Sequence, residues 1–234
     1  MKKRVKKVIG NSLILIGIII IVIPFIFRLI TTLKVNRDVA KFEKEVKNFK
    51  IEDNNESKSV NLEELRKVME KYNQDLLTNG QEISDPFSFQ KLDFDMRSYG
   101  IENNIVAEIK IDRLKLKAPV YLGATEDNLN KGLAHLSHTS LPLGEETSNV
   151  VIAGHRGLIR HKMFRHLDKL EQGDEVVITN FWEELRYKVI KYEIISPEEV
   201  SKVLIQNGKD MITLITCHPF RVNTQRLVVY CERI

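Results

Sequence analysis

The stretch "MITLITCHPFRVNTQRLVVYCERI", residues 211–234, decides how the chain folds. It opens as an apolar, β-branched run, breaks at Pro219, and resumes as "RLVVYCERI" after a polar turn, which is the pattern of two strands joined by a loop. The same texture recurs upstream. "IVAEIKI" (105–111) alternates, "APVYLG" (118–123) is short, "NVVIAG" (149–154) is apolar, and "EVVITN" (175–180) and "LRYKVIKYEII" (185–195) read as paired strands. Short helical patches lie between them: "TEDNLNKGL" (125–133), "KMFRHLDKL" (162–170) and "SPEEVSKVLIQ" (196–206). The last begins at Ser196 with Pro197 in the first helical position. Seven or eight short strands over 105–234, without regular strand–helix alternation, predict a mainly β, closed-barrel domain with short helices.

The chain has 234 residues, room for one sizeable core and an appendage. Its formal charge of +4 is unevenly placed. The first 37 residues carry eight Lys or Arg and no acid, leaving 28 basic against 32 acidic residues in the rest. The alkaline balance therefore predicts no nucleic-acid binding. The basic residues instead flank "VIGNSLILIGIIIIVIPFIF" (8–27), long enough for a helix crossing bilayer hydrocarbon. The run exceeds a usual signal-peptide core and no small-x-small cleavage site follows "FRLITTLKVNR", so a signal anchor in the lipid bilayer, through residues 8–30, is expected. Lys2, Lys3, Arg4, Lys6 and Lys7 outweigh Arg28, Lys34 and Arg37, predicting a single pass with a cytoplasmic N-terminus and everything beyond it outside.

After this anchor (1–33), Val35, Val39, Phe42, Val46 and Phe49 step by four and three, the seam of an amphipathic helix. A second helix is expected from Asn61 as N-cap, with Glu64 three residues on, and Leu62, Leu65, Met69, Tyr72 and Leu76 on one face. The segment 34–77 thus reads as a helical hairpin, with spacing the barrel from the membrane a sufficient role for it. "TNGQEISDPFSFQKLDFDMRSYG" (78–100) has no sustained period and reads as a long loop, the main part of a segment extending to 104.

Two cysteines do not make a disulfide framework, neither has a CxxC partner, and no His/Cys cluster has zinc spacing, so no structural metal is expected. Cys217 ends a strand beside a turn. Alone it would be read as a buried small hydrophobe. A thiol reacts as thiolate, however, and needs a cation or histidine beside it. His155 in "VVIAGHRG" also ends a strand, between Gly154 and Gly157. Arg226, nine residues after Cys217, begins the next strand, where an antiparallel return would set its guanidinium beside the thiol to hold a carbonyl or oxyanion. Three groups at three strand ends that complete an acyl-transfer mechanism are more specific than any one of them.

"TLITC" with an Arg nine residues on, and "AGHRG" some 60 residues upstream behind a signal anchor, resembles the sortases, membrane-bound cysteine transpeptidases of Gram-positive bacteria. "GLAHLSHTSLP", "FRHLDKLEQGDEV" and "TCHPFRVNTQRL" are most similar to class C, the pilus-assembling sortases. The resemblance implies an eight-stranded sortase-type barrel and no cofactor. It further implies Cys217 as nucleophile, His155 as general acid/base and Arg226 as positioning and oxyanion group, acting on an LPxTG-like sorting signal carried by pilins or surface proteins. The acceptor amine would come from a pilin lysine or, in other classes, from the peptidoglycan cross-bridge or its precursor. It gives the long loop a meaning too, since class C lids carry Asp-Pro-aromatic and this chain has Asp85, Pro86 and Phe87. Asp85 is expected to pair with Arg226 and Phe87 to cover Cys217.

Two features depart from the class C pattern. Many members have a second hydrophobic span, here expected to be absent or removed because the sequence reaches "CERI" without one. The residue after the nucleophile is often small and hydroxylated but here is His218, expected to face solvent or, as the rival reading, to perturb the thiol. Thr216 and His135 are candidates for packing behind the site, Cys231 for the core, and His138, His161 and His166 for solvated or capping positions. The alternatives are a secreted cysteine hydrolase and a membrane-anchored β-barrel binding module.

Overall fold

The computed structural model describes residues 2–52, 62–89, 94–101, 103–156 and 163–234. Eight strands form a closed barrel: β1 (Ile105–Ile111), β2 (Leu116–Tyr121), β3 (Leu133–His135), β4 (Ser148–Ala153), β5 (Glu175–Thr179), β6 (Glu184–Ile195), β7 (Asp210–His218) and β8 (Gln225–Arg233). They close in the order β1-β2-β3-β4-β7-β8-β6-β5. The β2/β3 and β4/β7 pairs are parallel and the others antiparallel.

Strand periodicity divides the barrel wall into two faces. Val150 and Ile152 of β4, Ile212 and Leu214 of β7, and Leu227, Val229 and Cys231 of β8 join the large interior core with Ile109, Ile178 and Tyr187. Their alternates, Val151, Ala153, Met211, Ile215, Val228 and Tyr230, build a second core on the outer face with Leu136, Ile195 and Val203. Burial on both sides explains why these three strands read as nearly continuous apolar runs.

Each strand expected from the sequence is present, and β3 is an addition. Its three residues are too few to show a period, but they bridge β2 and β4 through Val120↔Leu133 and Ala134↔Ala153. Of the expected helical patches, one forms as α3 below. "KMFRHLDKL" gives turns, within the described residues, and a 3-10 segment, Leu167–Lys169. Ser196-Pro197 does not start an α-helix: the Ser196 N–H donates to Glu199 Oε2 at 2.7 Å, and only a 3-10 turn, Val200–Val203, follows. The Ser196–Glu199 contact is the one a helix N-terminus would use, but the backbone continues as a 3-10 turn rather than an α-helix.

Helix α1 (Lys2–Glu52) runs unbroken through both the apolar stretch and the amphipathic seam. Within it Ile9–Phe49 is long and apolar enough to cross a membrane, with a mean hydropathy of 3.1 in its most apolar 18-residue window. Its distal part packs on the barrel through buried Val39, Phe42 and Val46, with the Phe42 and Phe181 rings 5.2 Å apart. Tyr121 Oη donates to Asp38 at 2.9 Å and Lys117 Nζ to Glu43 at 2.5 Å. Helix α2 (Leu62–Asn79) buries Leu65, Met69, Asn73 and Leu76, while its expected cap, Asn61, lies outside the described residues. Asn73 exchanges two hydrogen bonds with the Leu141 backbone, 2.7 and 3.2 Å, fixing α2 just before the loop that reaches the site. The helices are docked against the barrel, beyond what a spacer requires. The short α3 (Glu126–Lys131) is capped by Thr125.

Candidate functional site

The site begins where three neighbouring strands end. β7 and β8 pair so that Cys217 lies opposite Arg226. β4 and β7 pair in parallel up to Ala153↔Ile215, and His155 follows Ala153 by two residues as Cys217 follows Ile215. Strand alternation puts Cys217 and Arg226 on the outer face with Ile215 and Val228, and His155 follows Ala153, which lies on that face, by two residues. Gly154 is required here: a Cβ on it would lie 2.4 Å from Leu133 Cδ2 and 3.0 Å from the Phe164 ring. Thr216 Oγ1 donates to the Gly154 carbonyl at 2.6 Å, tying the segment before His155 to the residue before Cys217.

The loop after α2 closes over this row. Asp85 caps the 3-10 turn Pro86–Ser88 and grips Arg226 with both oxygens, Oδ1 to Nε at 2.6 Å and Oδ2 to Nη2 at 2.8 Å. Arg226 Nη1 also donates to the carbonyls of Asn223 and Gln225. The Phe87 ring lies 5.4 Å from that of His155, and the Arg226 guanidinium carbon lies 5.1 Å from the Phe87 centroid. Phe87 thus bridges the two groups that flank the thiol. Cys217 is 8% exposed and Arg226 7%. A cavity of only about 10 Å³ remains among Asp85, Pro86, Arg226 and the apolar wall of Leu136, Ile195, Val203 and Ile215.

Closure sets the electrostatics. Burial pushes the Cys217 thiol up, Arg226 pulls it down, Asp85 pushes it up again, and Arg156 pulls it down, leaving a net rise. A closed loop therefore favours the neutral, unreactive thiol.

The remaining sequence candidates fall in different places. His135 is fully buried on β3, its Nε2 within 3.1 Å of the Thr139 and Ser140 carbonyls, which it holds in a tight loop. Burial pushes its pKa down to about 4, so it is neutral. His218 is not a solvated decoration. Its Nδ1 accepts a hydrogen bond from Arg156 Nη1 at 2.6 Å, and Arg156 Nη2 pairs with Asp168 at 3.0 Å. Neither Arg156 nor Asp168 is among the sequence candidates; the available signal was their company, since Arg156 follows His155 as His218 follows Cys217. Cys217 and Cys231 are both free thiols, and Cys231 is wholly buried in the interior core. The His138 N–H donates to Tyr72 Oη at 3.0 Å, His166 is exposed, and His161 lies outside the described residues. Among the described residues no three His, Cys, Asp or Glu side chains converge as a metal site.

A thiol, an imidazole and a guanidinium at adjacent strand ends can perform acyl transfer. The sortase domain family matches residues 109–234, the barrel from β1 to the last residue. The chain belongs to the sortase family. Among solved sortases, sortase C1 of GBS pilus island 1 superposes with a TM-score of 0.73 at 28% identity, covering 86% of this chain and 92% of that one. Sortase C of Streptococcus pneumoniae gives 0.71 at 31% identity, covering 84% and 95%. These superpositions extend beyond the barrel into the preceding helices or loop. By sequence, sortase D of Bacillus subtilis (strain 168) is 27% identical over 129 residues, 54% of this chain and 62% of that relative. The match thus spans under two thirds of that curated sortase.

Proposed function

We propose that this sortase is a membrane-anchored cysteine transpeptidase that cleaves an LPxTG-like sorting signal between Thr and Gly and joins the new carboxyl end to a pilin lysine. The observation that carries the reading is the row His155, Cys217, Arg226 at the ends of three adjacent strands, under a loop whose Asp85 occupies the arginine.

The resting site is closed. Pro86 lies against the wall of Leu136, Ile195 and Val203, an apolar groove suited to the Leu-Pro of a sorting signal. When the lid leaves, Asp85 frees the Arg226 fork, and the thiol loses both the burial and the carboxylate that keep it protonated. Cys217 then passes its proton to His155 and attacks the Thr carbonyl carbon. Arg226 donates hydrogen bonds to the oxygen as its negative charge grows. The imidazolium of His155 returns the proton to the departing glycine amine, leaving a thioacyl-enzyme. A lysine amine attacks that thioester, gives a proton to His155, and expels the Cys217 thiolate with formation of an isopeptide bond. Helix α1 passes through the bilayer with its N-terminus cytoplasmic and holds the barrel on the outer side, where membrane-held substrates carry their signals.

The test is product analysis with a sorting-signal peptide and a lysine-bearing acceptor peptide. An isopeptide-linked product that Cys217→Ala abolishes is expected. A hydrolysed signal alone, whatever the acceptor, would indicate a hydrolase. Ligation only to a cross-bridge-type amine would place the chain with the sortases that anchor proteins to peptidoglycan.

A further inference from the structure

The pair behind the catalytic row has its own geometry. Cys217 faces outward, so alternation along β7 turns His218 to the opposite face, where Arg156, just past the end of β4, meets it. There Arg156 Nη1 donates to His218 Nδ1 at 2.6 Å. Its Nη2 is braced at 3.0 Å by Asp168, on the 3-10 turn Leu167–Lys169. We propose that Arg156 and His218 are positioning residues, a clamp that holds His155 and Cys217 in reacting register from the other side of the sheet.

Three observations support this. First, the strands are near their ends: the backbone bond from Gly154 N to Ile215 O, 3.1 Å, is followed by the Thr216–Gly154 side-chain bond and then by the Arg156–His218 bond. β4 ends at Ala153, so a side-chain bond from Arg156 takes over what the ladder no longer supplies. Second, Arg156 is 6% exposed and its Nε is buried without a partner. A guanidinium kept dry with one nitrogen unpaired is costly, and scaffold stability alone gives no reason to retain it. Third, an arginine can only donate, so His218 must be neutral with its proton on Nε2. Burial and the Arg156 charge both hold the His218 pKa down, Asp168 opposing them, which keeps Nδ1 able to accept. The charge of Arg156 also favours the Cys217 thiolate.

The inference rests on the transpeptidase reading, and its test separates the two. In an Asp85→Ala background, where lid opening does not limit the rate, kcat and KM for sorting-signal cleavage are measured for His218→Ala, His218→Gln, Arg156→Ala and the Arg156/His218 double alanine variant. His218→Ala is expected to lower kcat about tenfold or more with KM within about twofold, the size that a small misalignment of reacting groups costs. Gln, whose amide oxygen can accept the same bond, restores kcat to within about threefold, and the double variant is no worse than Arg156→Ala. A smaller loss in His218→Ala, no rescue by Gln, or losses that multiply in the double variant overturns the clamp. If His218→Ala does not fold, His218→Leu against His218→Gln gives the same comparison. No turnover by the parent would instead overturn the transpeptidase reading. The clamp is then read from iodoacetamide alkylation of Cys217 at pH 7, slowed by His218→Ala and restored by His218→Gln; equal rates in all three proteins overturn it.

Discussion

Asp85 and Arg226, 141 residues apart, are joined by two parallel hydrogen bonds of 2.6 and 2.8 Å, with side chains only 18% and 8% exposed. The arginine that faces Cys217 across the β7/β8 ladder is therefore already occupied by a carboxylate before any substrate arrives. The same contact seats Phe87 against both His155 and Arg226, so one short segment lies over both groups that flank the thiol.

Breaking that contact should open the site. A charge-assisted bond is worth about 1.5 to 3 kcal/mol, so Asp85→Ala is expected to raise the modification rate of Cys217 by a bulky thiol reagent about 10- to 100-fold. Phe87→Ala should raise it in the same direction. Labelling at the parental rate in both would mean that the lid does not limit access.

The thiols should differ in reactivity. Cys231 is fully buried and burial alone pushes its thiol up, whereas at Cys217 burial, reinforced by Asp85, also pushes the thiol up but is opposed by Arg226 and Arg156. Native protein treated with a small alkylating reagent is expected to take one label, on Cys217, with Cys231 labelled only after unfolding. Peptide mapping checks this.

Acid should destabilise the fold through His135. Its pKa is about 4 in the folded protein against an ordinary 6.5. The unfolded chain therefore binds a proton between those values that the folded one does not. The contribution of neutral His135 is complete above pH 6.5 and falls by about 3 kcal/mol as the pH drops toward 4. Urea unfolding of His135→Asn should show a visibly flatter pH dependence across this window; an unchanged slope would contradict the assignment.

The helices should be part of the stable unit. Phe42 is 1% exposed and packs edge-on against Phe181. Phe42→Ala should cost about 3 to 5 kcal/mol in equilibrium unfolding. A loss below about 1 kcal/mol would mean that the distal part of α1 only rests on the barrel.

Strands with a strong period were legible in the sequence, as "IVAEIKI" and "MITLITC" show, because alternation and β-branching coincide there. β3 was not, since three residues between two turns carry no period and are fixed only by partners on β2 and β4. The continuity of α1 was hidden by the change from an all-apolar to an amphipathic pattern near Lys34, although no glycine or proline breaks the helix there. At the site, placing Cys217, His155 and Arg226 at strand ends followed from local pattern. The bond between Asp85 and Arg226 was accessible only through the sortase resemblance, because nothing in the spacing relates them. Arg156 carried one local mark, its place after His155 as His218 follows Cys217, but its bonds to Asp168 and His218, across 12 and 62 residues, carried none.

The most direct measurement is mass spectrometry of the protein after incubation with an LPxTG-type peptide and no acceptor amine. A thioacyl adduct is expected on Cys217, with the mass of the peptide up to its threonine, removed by hydroxylamine or a lysine acceptor and absent in Cys217→Ala. An adduct on another residue, or signal peptide cleaved equally well by Cys217→Ala, would contradict it.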